Sequence, residues 1–299
     1  MKKLVLGIDG GGTTTNLALA DLDGKIVKRA KVGPSSLRNE SSERAIANVL
    51  EGVTKIIPRG REPVSTFIGF PALQEEYFSQ KEEIEALLNE KVKGCLSIGS
   101  DQLVAFRSGT DSNTGVVIIA GTGGVVRAFK EGKSAKASGW GYFADEGSGF
   151  WAGLRAYRKI TKELDGRGRK TMITEMVFDR WNLESGNDLN RKIYEDPIKW
   201  IPKLSIMVDL AQREGDSVAT EILRGAAEEI FNGVRVVSEK MNLEDFPLIL
   251  VGGMFKSGFL EKEIAQKAKK EDRKINIIKP EREPVFGAVK LAISNYEER

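Results

Sequence analysis

Hydrophobic positions in this chain come in short runs before they take a helical period. Leu4-Val5-Leu6-Gly7-Ile8 is an apolar run ending at Asp9, Leu17 to Ala20 is a second, and Asp21-Leu22-Asp23-Gly24-Lys25 turns the chain back into Ile26-Val27. Short apolar runs divided by Gly, Asp and Thr read as strands joined by tight turns. The chain therefore opens as a meander, not as a strand–loop–helix unit. After the loop Gly33-Pro34-Ser35-Ser36 the period changes. Ala45, Ile46, Val49, Leu50, Val53 and Ile56 predict a helix near 42–57, capped by Ser42 or a neighbour and ended by Pro58-Arg59-Gly60. Val64 to Phe70 is a fourth strand, 75–89 an amphipathic helix through Phe78, Ile84, Leu87 and Leu88, and Val92 to Ile98 a fifth strand. A short helix, 102–109, follows Asp101.

The second half begins near residue 115 in the same way. Gly115 to Ala120 is a strand, Gly121-Thr122-Gly123-Gly124 a turn, Val125 to Phe129 a strand, and Lys130-Glu131-Gly132-Lys133 a hairpin. Helices then dominate to about residue 241. The longest, Ser217 to Met241, carries the stripe Val218, Ile222, Leu223, Ala226, Ala227, Ile230, Phe231, Val234, Val237 and Met241, which marks a core-facing helix. Residues 166–200, rich in Gly, Lys and Arg and then in Asn and Asp, read as the least committed segment. Phe246 to Val251 is a strand ending at Gly252-Gly253-Met254-Phe255, 257–271 a helix, Ile275 to Ile278 a strand and Val285 to Tyr296 a final helix.

The two turns carry candidate chemistry. In Asp9-Gly10-Gly11-Gly12-Thr13-Thr14-Thr15 three glycines remove every Cβ, so the backbone can approach a ligand closely and successive N–H groups can form an anion-binding concavity. Threonine hydroxyls add donors. Asp9 suits such a place only with a cation between it and phosphate, and Mg²⁺ takes one or two carboxylates together with phosphate oxygens. One such hairpin reads equally well as an ordinary tight turn. Its recurrence at 121–124, one domain length on, points to two related halves, each presenting a phosphate loop. Neither G-x-G-x-x-G entering a helix nor G-x-x-x-x-G-K-[ST] is present, so dinucleotide and P-loop readings fail.

Composition narrows the function classes. At 299 residues the length suggests two domains of ~150 residues. With 40% hydrophobic and 30% charged residues and a net charge of +3 without a long basic run, nucleic acid is not the expected partner. The chain enters a strand at once with no signal-peptide pattern, and no apolar run reaches the ~20 residues of a membrane span, so a cytoplasmic setting without membrane contact is expected. A single cysteine, Cys95 in an apolar strand, fits a reducing compartment and a buried role. With no histidine, Ser-His-Asp and Cys-His catalysis and histidine zinc sites are excluded, and acid–base work falls to carboxylates, lysine or tyrosine. Abundant Lys and Glu with few Gln hint at a thermophilic source.

The ordered set Asp9-Gly10-Gly11-Gly12-Thr13, Asp101, Gly121-Thr122-Gly123, Gly139-Trp140-Gly141, Asp145-Glu146-Gly147-Ser148, Gly252-Gly253-Met254 and Gly287-Ala288 resembles the N-acetylglucosamine kinase and archaeal broad-specificity hexokinase group. That group lies in the BadF/BadG/BcrA/BcrD ATPase family of the actin/hexokinase/heat-shock chaperone superfamily. The resemblance covers essentially the whole chain. It implies an α/β, two-lobed actin-like (ribonuclease H-like) ATPase fold, each lobe a mixed five-stranded sheet flanked by helices. The N-terminal lobe would be 1–114 plus 285–299, the C-terminal lobe 115–284. It implies ATP and Mg²⁺, a small sugar as partner, and transfer of the γ-phosphate to the 6-hydroxyl of glucose, glucosamine, N-acetylglucosamine or a relative; a homodimer is left open. Gly10, Gly11, Gly12, Thr13 and Thr14 would form the first phosphate loop and Gly121, Thr122 and Gly123 the second, gripping the β- and γ-phosphates. Asp9 would hold Mg²⁺ through water, and Gly252, Gly253 and Met254 would meet adenosine. Asp101 would be the catalytic base, and Ser36, Asp101, Gly121, Thr122, Gly139, Asp145 and Gly149 would line the sugar site. Gly287-Ala288 would mark the hinge helix.

Two of these residues also have plainer readings. Asp101 suits the N-cap of helix 102–109, and Asp145-Glu146 suits a solvated turn. The aromatics Trp140, Tyr142, Phe143 and Trp151 favour a pocket wall for the latter. The chain departs from the family at Ser36, where asparagine is usual, and at Gly69-Phe70-Pro71-Ala72-Leu73-Gln74, where a Ser/Ala-Gly pair is usual. By the resemblance both would face the acceptor, which leaves a different hexose, an amino sugar or a non-hexose open. Other readings are a partner-activating ATPase, for which the lone Cys95 cannot supply the paired cysteines of an iron–sulfur cluster, and a non-catalytic nucleotide or sugar sensor, which needs no Asp101.

Overall fold

The computed structural model describes residues 2–37, 40–71, 73 and 81–299. Ten strands and ten α-helices are resolved among them, divided between two compact units, Met1–Ser112 with Lys279–Arg299, and Asn113–Ile278.

In the first unit β1 (Leu4–Asp9), β2 (Thr15–Asp21) and β3 (Ile26–Val32) form the antiparallel meander that the turn residues predict. β4 (Ser65–Phe70) and β5 (Cys95–Ser100) pair parallel to β1, giving the mixed order β3-β2-β1-β4-β5. Both faces of this sheet are covered, which is why its central strands read as continuous apolar runs and not as alternations. Leu4, Leu6, Ile8, Leu17 and Leu19 face α1 (Ser42–Ile56) and α2 (Lys81–Asn89). Val5, Ala18, Ala20 and Phe67 face α3 (Asp101–Gly109) and α10 (Val285–Glu297). Gly7 makes the second contact close: a Cβ there would meet the backbone of Ala288 and Val289.

The second unit repeats the plan with a larger helical share. β6 (Thr114–Ala120), β7 (Gly124–Lys130) and β8 (Lys133–Ser138) form the meander, and β9 (Asp245–Val251) and β10 (Lys274–Ile278) complete the order β10-β9-β6-β7-β8. One continuous core joins the sheet to α4 (Gly149–Leu164), α7 (Pro197–Arg213), α8 (Ser217–Lys240) and α9 (Gly258–Ala268).

Three expectations are corrected. Residues 166–200 are not uncommitted: they hold α5 (Met172–Trp181), α6 (Gly186–Glu195) and the start of α7. These helices are capped by Thr171, Ser185 and Asp196 and are anchored by buried Ile173, Val177, Leu189 and Ile193. α2 is described from Lys81 to Asn89, and residues 75–80 of the expected helix, Phe78 among them, lie outside the described residues. Of the predicted stripe Ile84 and Leu88 are buried while Leu87 is 44% exposed. Lys279–Pro284 groups with the first unit and not the second, because Arg29 pairs with Glu283 at 2.8 Å and both Arg29 and Arg282 lie over Phe286. Among the described residues no helix is long and apolar enough to cross a membrane.

Candidate active site

The first loop hangs between the ends of β1 and β2. Gly10 donates its N–H to the Gly69 carbonyl (2.8 Å), and the Gly11 carbonyl accepts from the Ser35 N–H (3.1 Å). Buried Thr15 donates to Ser35 Oγ at 2.8 Å. A Cβ on Gly10 would lie 2.5 Å from both the Gly69 oxygen and Ser35 Oγ, so only glycine fits there. With these contacts made, the N–H groups of Gly11, Gly12, Thr13 and Thr14 have no partner among the described residues, while Gly12 and Thr13 are exposed. That is a row of donors suited to an anion.

Gly69 also touches the segment that carries the candidate base. A Cβ on Gly69 would stand 3.4 Å from Asp101 Cα. Ser100, not Asp101, caps α3: its hydroxyl accepts from the Leu103 N–H at 3.1 Å. The capping reading of Asp101 is thus overturned, and its carboxylate is relieved of that task. Asp9, desolvated at the end of β1, feels the charge of Asp101 and, more weakly, that of Glu283; burial first and these charges second push its carboxyl up to about 8. Without a counter-cation these carboxylates oppose one another.

The second loop is held differently. Carbonyls of Gly121 and Thr122 accept the N–H groups of Gly149 (2.7 Å) and Phe150 (3.0 Å), at the start of α4. The helix N-terminus is therefore engaged with the loop's oxygens. The N–H groups of Thr122 and Gly123 have no partner among the described residues. Buried Asp145 fastens the loop from the other side: Oδ2 accepts from the Gly124 N–H at 3.1 Å. Its Oδ1 collects the N–H groups of Gly139 (2.9 Å), Trp140 (2.8 Å) and Gly141 (3.2 Å) and the Ser138 hydroxyl (3.3 Å). To wrap one oxygen this way the backbone turns left-handed at Ser138 (φ 63°) and Gly139 (φ 80°). So Asp145 is neither a solvated turn nor wholly free for a ligand: Oδ1 is spent on backbone, and Oδ2 retains acceptor capacity.

Other expected site residues fall into distinct places. Gly252 (φ 115°) packs directly on the Ala120 carbonyl, so a side chain there is excluded, whereas Gly253 borders open space. The Met254 side chain lies in the unit's core and is not offered to a ligand. Ser36 is buried, and its carbonyl accepts from the Glu40 N–H at 3.0 Å. Its neighbour Ser35, which the sequence reading passed over, is the one that holds the first loop. Gly287 presses against the Val104 carbonyl of α3, which explains the small residue at the start of α10 by packing. Ala72 and Gln74 lie outside the described residues. The aromatics divide: Trp140 (74%) and Phe143 (82%) are exposed, Tyr142, Phe143 and Phe150 cluster with centroids 4.6–5.5 Å apart, and Trp151 packs beside Gly225. A cavity of about 310 Å³ lies beside Gly124, Ser138, Trp140, Glu146 and Glu229.

Two glycine loops of this build, each at the first hairpin of a five-stranded mixed sheet, are the arrangement of the actin-like ATPase fold. The chain belongs to the BadF/BadG/BcrA/BcrD ATPase family, whose model matches residues 6–292. It is 30% identical to the N-acetylmuramic acid/N-acetylglucosamine kinase of Clostridium acetobutylicum, over 98% of this chain and 99% of that protein. It is 29% identical to the N-acetyl-D-glucosamine kinase of Dictyostelium discoideum, again over 98% and 99%. In fold it is similar to a Chromobacterium violaceum protein described provisionally as an N-acetylglucosamine kinase, with a TM-score of 0.76, 24% identity and coverage of 97% and 99%.

Proposed function

We propose that the protein is an ATP-dependent sugar kinase that phosphorylates the 6-hydroxyl of an amino sugar or related hexose, with N-acetylglucosamine the first acceptor to test. The similarity in sequence over the full length of two such kinases supports the reading. The observation that carries it is the placement of Asp101: on the first turn of α3, excused from capping by Ser100, and close enough to Asp9 to raise its pKa. A pure binder or sensor needs no such carboxylate.

Phosphoryl transfer depends on positioning and charge neutralisation more than on covalent chemistry. Gly11–Thr14 in one unit and Thr122–Gly123 in the other offer N–H donors to phosphate oxygens. Gly253 leaves room for the nucleoside beside the open end of β9. Asp101 orients the acceptor hydroxyl and takes its proton as the bond to phosphorus forms, a role worth ~10²–10⁴-fold. A buried carboxylate pushed up to about 8 by its own burial and by neighbouring acids fits a site that holds a cation. Asp9 would hold Mg²⁺, which when bound neutralises charge on the phosphates. Asp145 positions the second loop and keeps one oxygen lone pair for a sugar hydroxyl. The reaction is assigned to the cytoplasm, where ATP is available.

A coupled ADP-release assay across N-acetylglucosamine, glucosamine, glucose, N-acetylmannosamine and N-acetylmuramic acid tests this. The expected result is strong stimulation by at least one of the hexosamines. ADP release that no sugar increases would overturn the reading.

A further inference from the structure

The helical segment of the second unit carries a feature that the kinase chemistry does not use. Three lysines converge on one indole: Lys192 Nζ lies 4.2 Å from the centroid of Trp200, Lys203 Nζ 4.3 Å and Lys199 Nζ 4.9 Å. An indole has two faces, so at least two of these ammonium groups share one. The ring itself is fixed, packed edge-on against Trp181 at 5.4 Å, and its Nε1 is buried without a partner, so the ring offers its faces and not its N–H.

The local sequence opposes this arrangement. Lys199 sits in the first turn of α7, where the helix dipole disfavours a cation, and that turn contains no acid. Lys199 and Lys203 are a like-charge pair at i,i+4, which weakens a helix. Lys192, in the last turn of α6, is placed favourably. The nearby Asp196 caps α7, accepting the Lys199 N–H at 3.0 Å, and among the described residues none of the three ammonium groups forms an ion pair. Two favourable substitutions, an acid at 199 or at 203, would relieve the cluster. Stacking on the indole offsets part of this repulsion but does not use the N–H donors of the three ammonium groups. Three ammonium donors with no acceptor among them match a ligand rich in acceptor oxygens and carrying several negative charges.

We propose that Lys192, Lys199 and Lys203 on Trp200 form a binding site for a small multivalent phosphate anion. Inorganic pyrophosphate and a sugar phosphate share this chemistry, and the test separates them. The full-length protein is labelled with 5-fluorotryptophan, and its four ¹⁹F signals are assigned by Trp→Phe variants. Pyrophosphate is then titrated at constant ionic strength. The Trp200 signal, and with it that of Trp181, should shift saturably. The Lys199→Gln/Lys203→Gln protein, which should keep wild-type ADP release, should bind at least tenfold more weakly by the Trp200 signal. Displacement of pyrophosphate by N-acetylglucosamine 6-phosphate would identify a sugar phosphate as the occupant; retention would identify the inorganic anion. A Trp200 signal that stays put, or that shifts equally in the double variant, overturns the proposal. Pyrophosphate bound at the glycine loops would not produce the difference between the two proteins.

Discussion

The two glycine loops look alike in sequence and are built on opposite electrostatic plans. The loop at 10–14 is braced by neutral groups: the Gly69 carbonyl, the Ser35 N–H and the Thr15–Ser35 hydroxyl pair. The loop at 121–124 is braced by a buried carboxylate, Asp145, and by the N-terminus of α4. The first already has Asp9 and Asp101 nearby and has no room for another acid. The second is braced by Asp145, whose charge is met by four backbone N–H groups and the Ser138 hydroxyl. Repetition of a fold therefore does not repeat the means by which a loop is held, and the two loops should respond differently to the loss of their braces.

The largest effect is expected at the second. Asp145→Ala removes the acceptor of four backbone N–H groups and a hydroxyl, a lost bond costing about 1–3 kcal/mol where water cannot replace it. We expect a net loss of about 3–5 kcal/mol by urea unfolding, with activity abolished. A loss below about 1 kcal/mol would mean that Asp145 is not the brace. Next is Gly10→Ala. Its Cβ must displace the Gly69 carbonyl and Ser35, so a loss of about 1–3 kcal/mol, comparable to overpacking, should accompany weaker nucleotide binding by calorimetry. Of similar or smaller size is the pH response of Asp9. Its folded pKa of about 8 lies above the ordinary 3.8. The folded state therefore holds the proton more tightly, and the associated stability, complete below pH 4, is lost as pH rises through 8. Metal-free protein should melt at lower temperature at pH 9 than at pH 6. Asp9→Asn should flatten that slope, and an unchanged slope would remove Asp9 as its source. Smallest is Ser35→Ala, which removes one neutral hydrogen bond and should cost about 1 kcal/mol. A cost matching that of Asp145→Ala would erase the contrast between the loops.

Much of this was legible in the sequence, for local reasons. Runs of glycine and threonine between apolar strands are turn chemistry, readable within a dozen residues, and both hairpins followed from them, whereas the mixed five-stranded sheets were implied by the family resemblance. The braces were not readable, because they join distant positions: Asp145 reaches Gly124 across 21 residues and Thr15 reaches Ser35 across 20. Asp101 was expected just before a helix at 102–109 and is instead the first residue of α3, the Ser100–Leu103 bond putting the cap one residue earlier. The segment 166–200 was misjudged from its polar composition. Its signals were present as the caps Thr171, Ser185 and Asp196 and as Pro197 at the first position of α7. The apolar positions between them are too sparse to show a period until helices α4 and α7 cover them.

The central claim is that Asp101 is the proton acceptor for a sugar hydroxyl. The most direct measurement is sugar-dependent ADP release by Asp101→Asn at saturating ATP and sugar, together with nucleotide affinity by calorimetry. The account predicts a fall in kcat of at least 100-fold with ATP affinity within about threefold of wild type. A kcat within threefold of wild type would contradict it.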